Sequence, residues 1–250
     1  MSRVVSIALL IAALAAAAGI TYDPSAYGPD EPLRRCLHAA GIPLPGGFIP
    51  EPRIEIYKTE RKLLLFSRDL LVKTYRIQLG SKDPLNDRER ARDGRTPEGA
   101  YTICGHHPTS RYLLGLYLDY PNAQDVEAGL ERGVLTEEDA DRVREAHERG
   151  RCPIPFDTGL GGPMLIHGQH PEVTARLKLE QEGELLREGL HPGDLDPAAL
   201  RESSDWTLGC IGMTNPDIRE LYELIPNGTP VFIYGERDLA PGAESGPGAR

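Results

Sequence analysis

Aromatic residues are scarce in this chain of 250 residues, at 6%, with a single tryptophan, Trp206. A chain of this length still buries a sizeable core without disulfide staples, as one domain or two small ones. Basic residues are short as well: 28 Lys and Arg against 38 Asp and Glu leave a formal net charge of −10. Nucleic acid and anionic membrane surfaces both require a basic field, so neither is expected as a partner. The four cysteines, Cys36, Cys104, Cys152 and Cys210, include no C-x-x-C pair, which sets a zinc site aside. Beyond the opening residues nothing resembles the roughly 20-residue apolar run of a membrane-spanning helix. Glycine and proline, at 27 and 22, are by contrast plentiful and favour many turns and a β-containing fold.

The opening MSRVVSIALLIAALAAAAGI has Arg3, an apolar run from Val4 to Ala18 and small residues suited to cleavage. It reads as a secretory signal over residues 1–19, with an uncleaved anchor as the alternative, and the expected location is outside the cytoplasm. Export puts the cysteines where disulfides form. If Cys210 stays a thiol, at most one bridge forms among the other three, and Cys104 with Cys152 is the expected pair.

Residues 20–52 form a Pro/Gly-rich lead-in with one short helix around Leu33 to Ala40. From Arg53 the pattern changes. Ile54–Tyr57, Leu63–Phe66 and Val72–Leu79 read as three strands, and the short polar joins KTERK and SRD imply antiparallel neighbours. A polar loop ending in Pro97-Glu98-Gly99 leads to a strand over Ala100–Cys104, and RYLLGLYLDYP supplies another. Residues 122–150 read as a helical insertion, with Thr136 as cap, Asp139 as its capping-box partner and Gly150 as the stop. LIHG ends a short apolar strand at His167-Gly168, and a second helical insertion covers 171–204, including a short helix from Asp196. Asn215 caps a helix starting at Pro216, NGTPVFIYG turns into a last strand, and residues 236–250 are too polar and Gly/Pro-rich to pack.

The stretch DWTLGCIGMTN raises the question of chemistry. A thiol becomes a nucleophile when a base or a positive field makes it a thiolate and the reacting carbonyl can approach closely. Gly209 beside Cys210 permits that approach, and the following turn can offer backbone N–H groups to an oxyanion. A bridged or buried structural cysteine is the alternative. His167 ends an apolar strand, so its ring can emerge at a site edge with the Gly168 carbonyl as orienter; a core histidine is the alternative there. Spacing alone does not choose among the histidines.

DGRTPEGAYTI, LYLDYPNAQD, LIHG, DWTLGCIGMTN and NGTPVFIY resemble, in order and identity, the L,D-transpeptidase catalytic domain of the YkuD type. The resemblance runs from about Arg53 to Gly235. It implies a mainly β fold with helical insertions, α+β overall, as an L,D-transpeptidase-like β-sandwich or barrel over 53–235. It also implies cysteine acyl transfer on peptidoglycan stem peptides, without a metal or organic cofactor. Carried over to this chain, Cys210 is the nucleophile, His167 the general base, Gly168 the carbonyl that orients the imidazole, and Gly209 an oxyanion-hole backbone donor together with Cys210. Thr207 supports the loop. Thr207, Trp206 and Arg111 are the expected substrate-side residues, with packing as the alternative for Trp206 and a solvated side chain for Arg111 and Arg201. Peptidoglycan stem peptides are the expected partner, with another stem or an envelope protein as acceptor.

Three departures from the family pattern stand out. His167 and Cys210 lie 43 positions apart, beyond the compact form of the motif. Position 208 is Leu where many members have histidine, and position 212 is Gly where many have arginine. Hydrolysis of stem peptides through the same thioester, and a noncatalytic wall-binding module, are the competing expectations.

Overall fold

A computed structural model describes residues 22–23, 30–110, 113–153, 158–169 and 205–236. The expected signal, the tail beyond Glu236, the helical segment 171–204, Arg111 and Arg201 lie outside these residues.

Pro52–Tyr57 (β1), Lys62–Ser67 (β2) and Leu70–Arg76 (β3) form the expected antiparallel run, with Ile54 opposite Leu65 and Ile56 opposite Leu63. Side chains alternate faces along a strand, so Leu63 and Leu65 are both buried while the intervening Leu64 is only half-buried. Gly99–Ser110 (β4) is twelve residues long and serves two neighbours. Its start, Gly99 to Thr102, pairs with the last strand, Pro230–Tyr234 (β8), and its remainder pairs with Leu113–Leu118 (β5). The register shifts between Ile103 and Gly105, a bulge that turns the ladder from one neighbour to the other. Leu165–His167 (β6) and Ile211–Gly212 (β7) complete the order β3-β2-β1-β8-β4-β5-β6-β7.

This mixed sheet curls until its two edges meet. Past β3, the Gln78 N–H donates to the Gly212 carbonyl at 2.9 Å and the Gly212 N–H returns a bond to Gln78 at 2.7 Å. Gly80 bridges Thr207 in the same seam. The catalytic segment expected from the sequence therefore lies where the sheet closes.

Four helices flank the sheet among the described residues: Leu33–Ala39 (α1), Ala123–Glu131 (α2), Glu137–Glu148 (α3) and Asn215–Leu224 (α4). Leu33, Cys36 and Leu37 of α1 are buried, so the core reaches upstream of β1. Glu220 of α4 ties α1 and α4 to β3: it accepts from the Leu33 N–H at 2.9 Å, Lys73 Nζ at 2.7 Å and the Tyr75 hydroxyl at 3.1 Å. Ile218, Leu221 and Leu224 form the buried face of α4.

The helical region 122–150 is two helices. Asn122 and Asp125 make a full capping box on α2, and the Thr136 hydroxyl accepts from the Asp139 N–H on α3. After α3, Gly150 takes φ 61° and its N–H donates to the His147 carbonyl, the left-handed stop that glycine supplies without strain. The α4 cap falls one residue earlier than expected. Thr214 accepts from the Asp217 N–H, and the Asn215 side chain instead accepts from the Gln169 N–H at 2.8 Å. Cys104 and Cys152 are disulfide-bonded, tying the β4 bulge to the segment that follows α3, whereas Cys36 and Cys210 are thiols.

Candidate active site

The parallel pairing of β6 and β7 sets Ile166 opposite Ile211 and His167 opposite Gly212. Cys210 is the residue just before that pairing begins, level with Leu165, so the histidine and the cysteine stand two residues apart along adjacent strands despite their separation in sequence. The Met213 N–H also donates to the His167 carbonyl at 2.8 Å, which locks the two strands in this register.

His167 is buried, and its Nδ1 lies 2.7 Å from the Gly168 carbonyl oxygen. A carbonyl only accepts, so Nδ1 carries the proton and Nε2 carries the lone pair. Burial pulls the imidazole down to about 4, against the opposing pull of the Gly168 carbonyl. The Cys210 thiol is pushed up by burial, and the Leu165 backbone N–H and the Arg88 charge draw it partly back. Both shifts favour the uncharged forms at neutral pH, a thiol and a neutral imidazole.

The loop before the cysteine is built from its own side chains. The buried Thr207 hydroxyl donates to the Cys210 carbonyl at 2.7 Å and accepts from the Gly209 N–H at 3.1 Å. The hydroxyl thus braces the loop from within, the supporting role expected of it. The Gly209 N–H, an oxyanion donor expected from the sequence, donates to that hydroxyl within the loop. Gly209 has φ 126°, and a Cβ on it would lie 2.5 Å from both Arg88 Nη1 and the Arg95 carbonyl oxygen, so only glycine fits.

Trp206 stands edge-on to His167, with ring centroids 5.4 Å apart and planes at 73°. A Cβ at Gly212 would come within 2.8 Å of the same indole. The ring therefore occupies the space that a side chain at 212 would need, and it packs against the histidine. Leu208 is 74% exposed at the tip of the loop. Asp205 anchors the loop upstream: Arg61 Nη2 reaches its Oδ2 at 2.6 Å, and the Leu79 N–H donates to its Oδ1 at 2.7 Å.

One residue at the site was invisible in the sequence. Arg88 lies in the run NDRERARDGR, where it looks like any solvated arginine, yet it is buried beneath Leu208 and Gly209. No cluster of three or more metal-ligating side chains occurs among the described residues.

The YkuD L,D-transpeptidase catalytic domain matches residues 51–233. The chain belongs to this family. Among solved structures, the helical cell shape determining protein Pgp2 from Campylobacter jejuni is similar at 15% identity and a TM-score of 0.40, over 81% of this chain and 55% of that one. Bd1075 from Bdellovibrio bacteriovorus is similar at 18% identity and a TM-score of 0.38, over 74% and 48%. An L,D-transpeptidase from Xylanimonas cellulosilytica is similar at 14% identity and a TM-score of 0.36, over 80% and 68%. The chain spans about half the length of the first two of these. No curated protein matches it. As a member of the YkuD family, the chain is a peptidoglycan L,D-transpeptidase-family protein, and no helix among the described residues is long and apolar enough to cross a membrane.

Proposed function

We propose that the chain is a peptidoglycan L,D-transpeptidase working through a Cys210 acyl-enzyme. The observation that carries this reading is the imidazole of His167, held through Nδ1 by the Gly168 carbonyl at 2.7 Å, on the strand paired with the one that follows Cys210. Nε2 takes the thiol proton as Sγ attacks the carbonyl that joins the diamino acid of a tetrapeptide stem to its terminal D-alanine. The Cys210 N–H meets the oxyanion of the tetrahedral intermediate. Collapse breaks the C–N bond, the imidazolium returns its proton to the departing amine of D-alanine, and a thioester remains. The amine of a second stem, or of an envelope protein, attacks the thioester and gives a proton to His167, which passes it back to the sulfur. The substrate calls for an exported protein acting in the cell envelope, and no step needs a cofactor.

Hydrolysis is a second reading, favoured by Leu208 and Gly212. These positions lack the polar side chains found in many members, so an acceptor stem has less to hold it and water can take the thioester. Incubating the full chain with disaccharide-tetrapeptide stems and resolving the products decides between the two. Transpeptidation yields 3→3 crosslinked dimers, whereas hydrolysis yields tripeptide stems alone. His167→Ala is expected to lower either turnover by about 10²–10⁴-fold, the usual contribution of a positioned base. Near-normal turnover in that variant overturns the assignment of His167.

A further inference from the structure

Arg88 is among the most enclosed charged groups at the site, its side chain only 4% exposed. Its loop is folded tightly enough to hold it there: the Asp93 carboxylate accepts from the Glu89, Arg90 and Arg95 N–H groups at 2.8, 3.1 and 3.0 Å. From that position the guanidinium ties three distant segments together. Nε donates to the Leu160 carbonyl at 3.0 Å, and Nη1 donates to the Arg95 carbonyl at 3.2 Å and to the Leu208 carbonyl at 3.3 Å. Asp93 Oδ1 lies 3.7 Å from Nη1, and the Tyr120 ring lies beneath the guanidinium at 5.7 Å. A buried guanidinium is costly unless its donors are used, and here they are used on backbone carbonyls, one of them two residues before the nucleophile.

The peptide between Leu208 and Gly209 is thereby gripped at both ends, its carbonyl by Arg88 and its N–H by the Thr207 hydroxyl. The Cys210 carbonyl is fixed by the same hydroxyl. With the peptide planes on either side pinned, the Gly209–Cys210 peptide has little freedom, and the direction of the Cys210 N–H is set.

We propose that Arg88 is the positioning residue of the catalytic loop, which aims the Cys210 N–H at the oxyanion and supplies a fixed positive charge against the Leu208–Gly209 peptide as the sulfur becomes a thiolate. The inference rests on Cys210 being the nucleophile of the reading above. Arg88 takes no proton at any step: the thiol proton goes to His167, and Arg88 remains a cation throughout. The groups bearing on the sulfur are Arg88 from the loop before β4 and the Leu165 N–H from β6, with Asp93 partnering Arg88 and His167 the base of the reaction proposed above. Lysine keeps the charge but cannot reach three carbonyls in the planar fork of arginine, so Arg88→Lys separates charge from aim. Arg88→Gln removes the charge and keeps one polar head.

The test is the pH dependence of Cys210 alkylation by iodoacetamide in the full chain, located by peptide mass spectrometry, beside the rate of acylation by tetrapeptide stems. Circular dichroism and thermal unfolding establish that each variant is folded. In Arg88→Gln the alkylation midpoint is expected to move up by about 1 pH unit, the lower end of what a neighbouring opposite charge does to a titrating group. In Arg88→Lys the midpoint stays within about 0.3 pH unit of the parent while acylation falls by about 10²-fold, the cost of a misaligned reacting group. Midpoint and acylation rate both within twofold of the parent in a folded Arg88→Lys, or an unmoved midpoint in a folded Arg88→Gln, overturns the proposal. If Arg88→Gln does not fold, the Arg88→Lys comparison alone decides. Alkylation reads the thiol without any stem peptide, so failure of the peptidoglycan reading is recognised separately, as a parent protein that alkylates normally and is never acylated.

Discussion

At the scale of single residues, the chemistry turns on where two protons sit. Burial holds the His167 imidazole neutral down to about 4 and raises the Cys210 thiol above its ordinary range. In the proposed mechanism the base is then ready across the whole neutral range, and the thiolate forms only as the proton moves to Nε2. Below about 4 the imidazolium has no lone pair to offer. We expect kcat/KM for stem peptides to be level from about pH 5 to about pH 8 and to fall as the pH drops through about 4. A pH–rate profile checks this, and an acid limb near the ordinary histidine value of about 6.5 contradicts it. Cys210 and His167 are singled out in the sequence by the resemblance of LIHG and DWTLGCIGMTN to the family's motifs, since spacing alone does not choose among the histidines. Arg88 is not, because burial of an arginine depends on contacts with residues 72 and 120 positions away along the chain, those at Leu160 and Leu208.

At the scale of elements, the short pieces carry the site. β6 and β7 have three and two residues, too few to show a period, and β7 has no sequence signature because its partners, Ile166 and Gln78, are remote. β1 to β3 were legible for the opposite reason, since alternating apolar residues and short joins fix antiparallel neighbours locally. The α4 cap shows how a local rule yields to a remote demand. Thr214 and Asn215 are both good caps, and the need of the Gln169 N–H for an acceptor decides which one serves. Leading into β7, Asp205 fixes the loop against Arg61 and the Leu79 N–H. Asp205→Ala leaves that N–H and a half-buried guanidinium without their carboxylate. It should cost about 2 kcal/mol of stability, in the range of hydrogen bonds to charged groups, and slow acylation through a loosened loop. Urea unfolding with parallel turnover measurements tests this, and unchanged values in both contradict the anchor role.

At the scale of the whole molecule, closure of the sheet is what brings the site together. The strand order was beyond reach of the sequence, because insertion of β8 between β1 and β4 joins the two ends of the domain. The helical insertion over 122–150 is attached to the sheet by the Cys104–Cys152 bond, which closes a loop of 48 residues. By the chain-entropy argument that closure contributes up to about 4 kcal/mol. Replacing both cysteines by serine should lower stability by a few kcal/mol by that same argument, with Cys210 chemistry retained, since the bond lies at the β4 bulge and not in the β6–β7 pair. Denaturant titration of the double variant reads the loss, and unchanged stability contradicts a stapling role.

The most direct measurement of the central claim is the intact mass of the purified full chain after brief exposure to disaccharide-tetrapeptide stems, beside Cys210→Ala treated alike. The account predicts a stem-minus-D-alanine adduct that maps to Cys210, is absent from Cys210→Ala, and is discharged by an added amine. A parent protein that consumes stems without a Cys210 adduct, or a Cys210→Ala variant that consumes them at the parent rate, contradicts it.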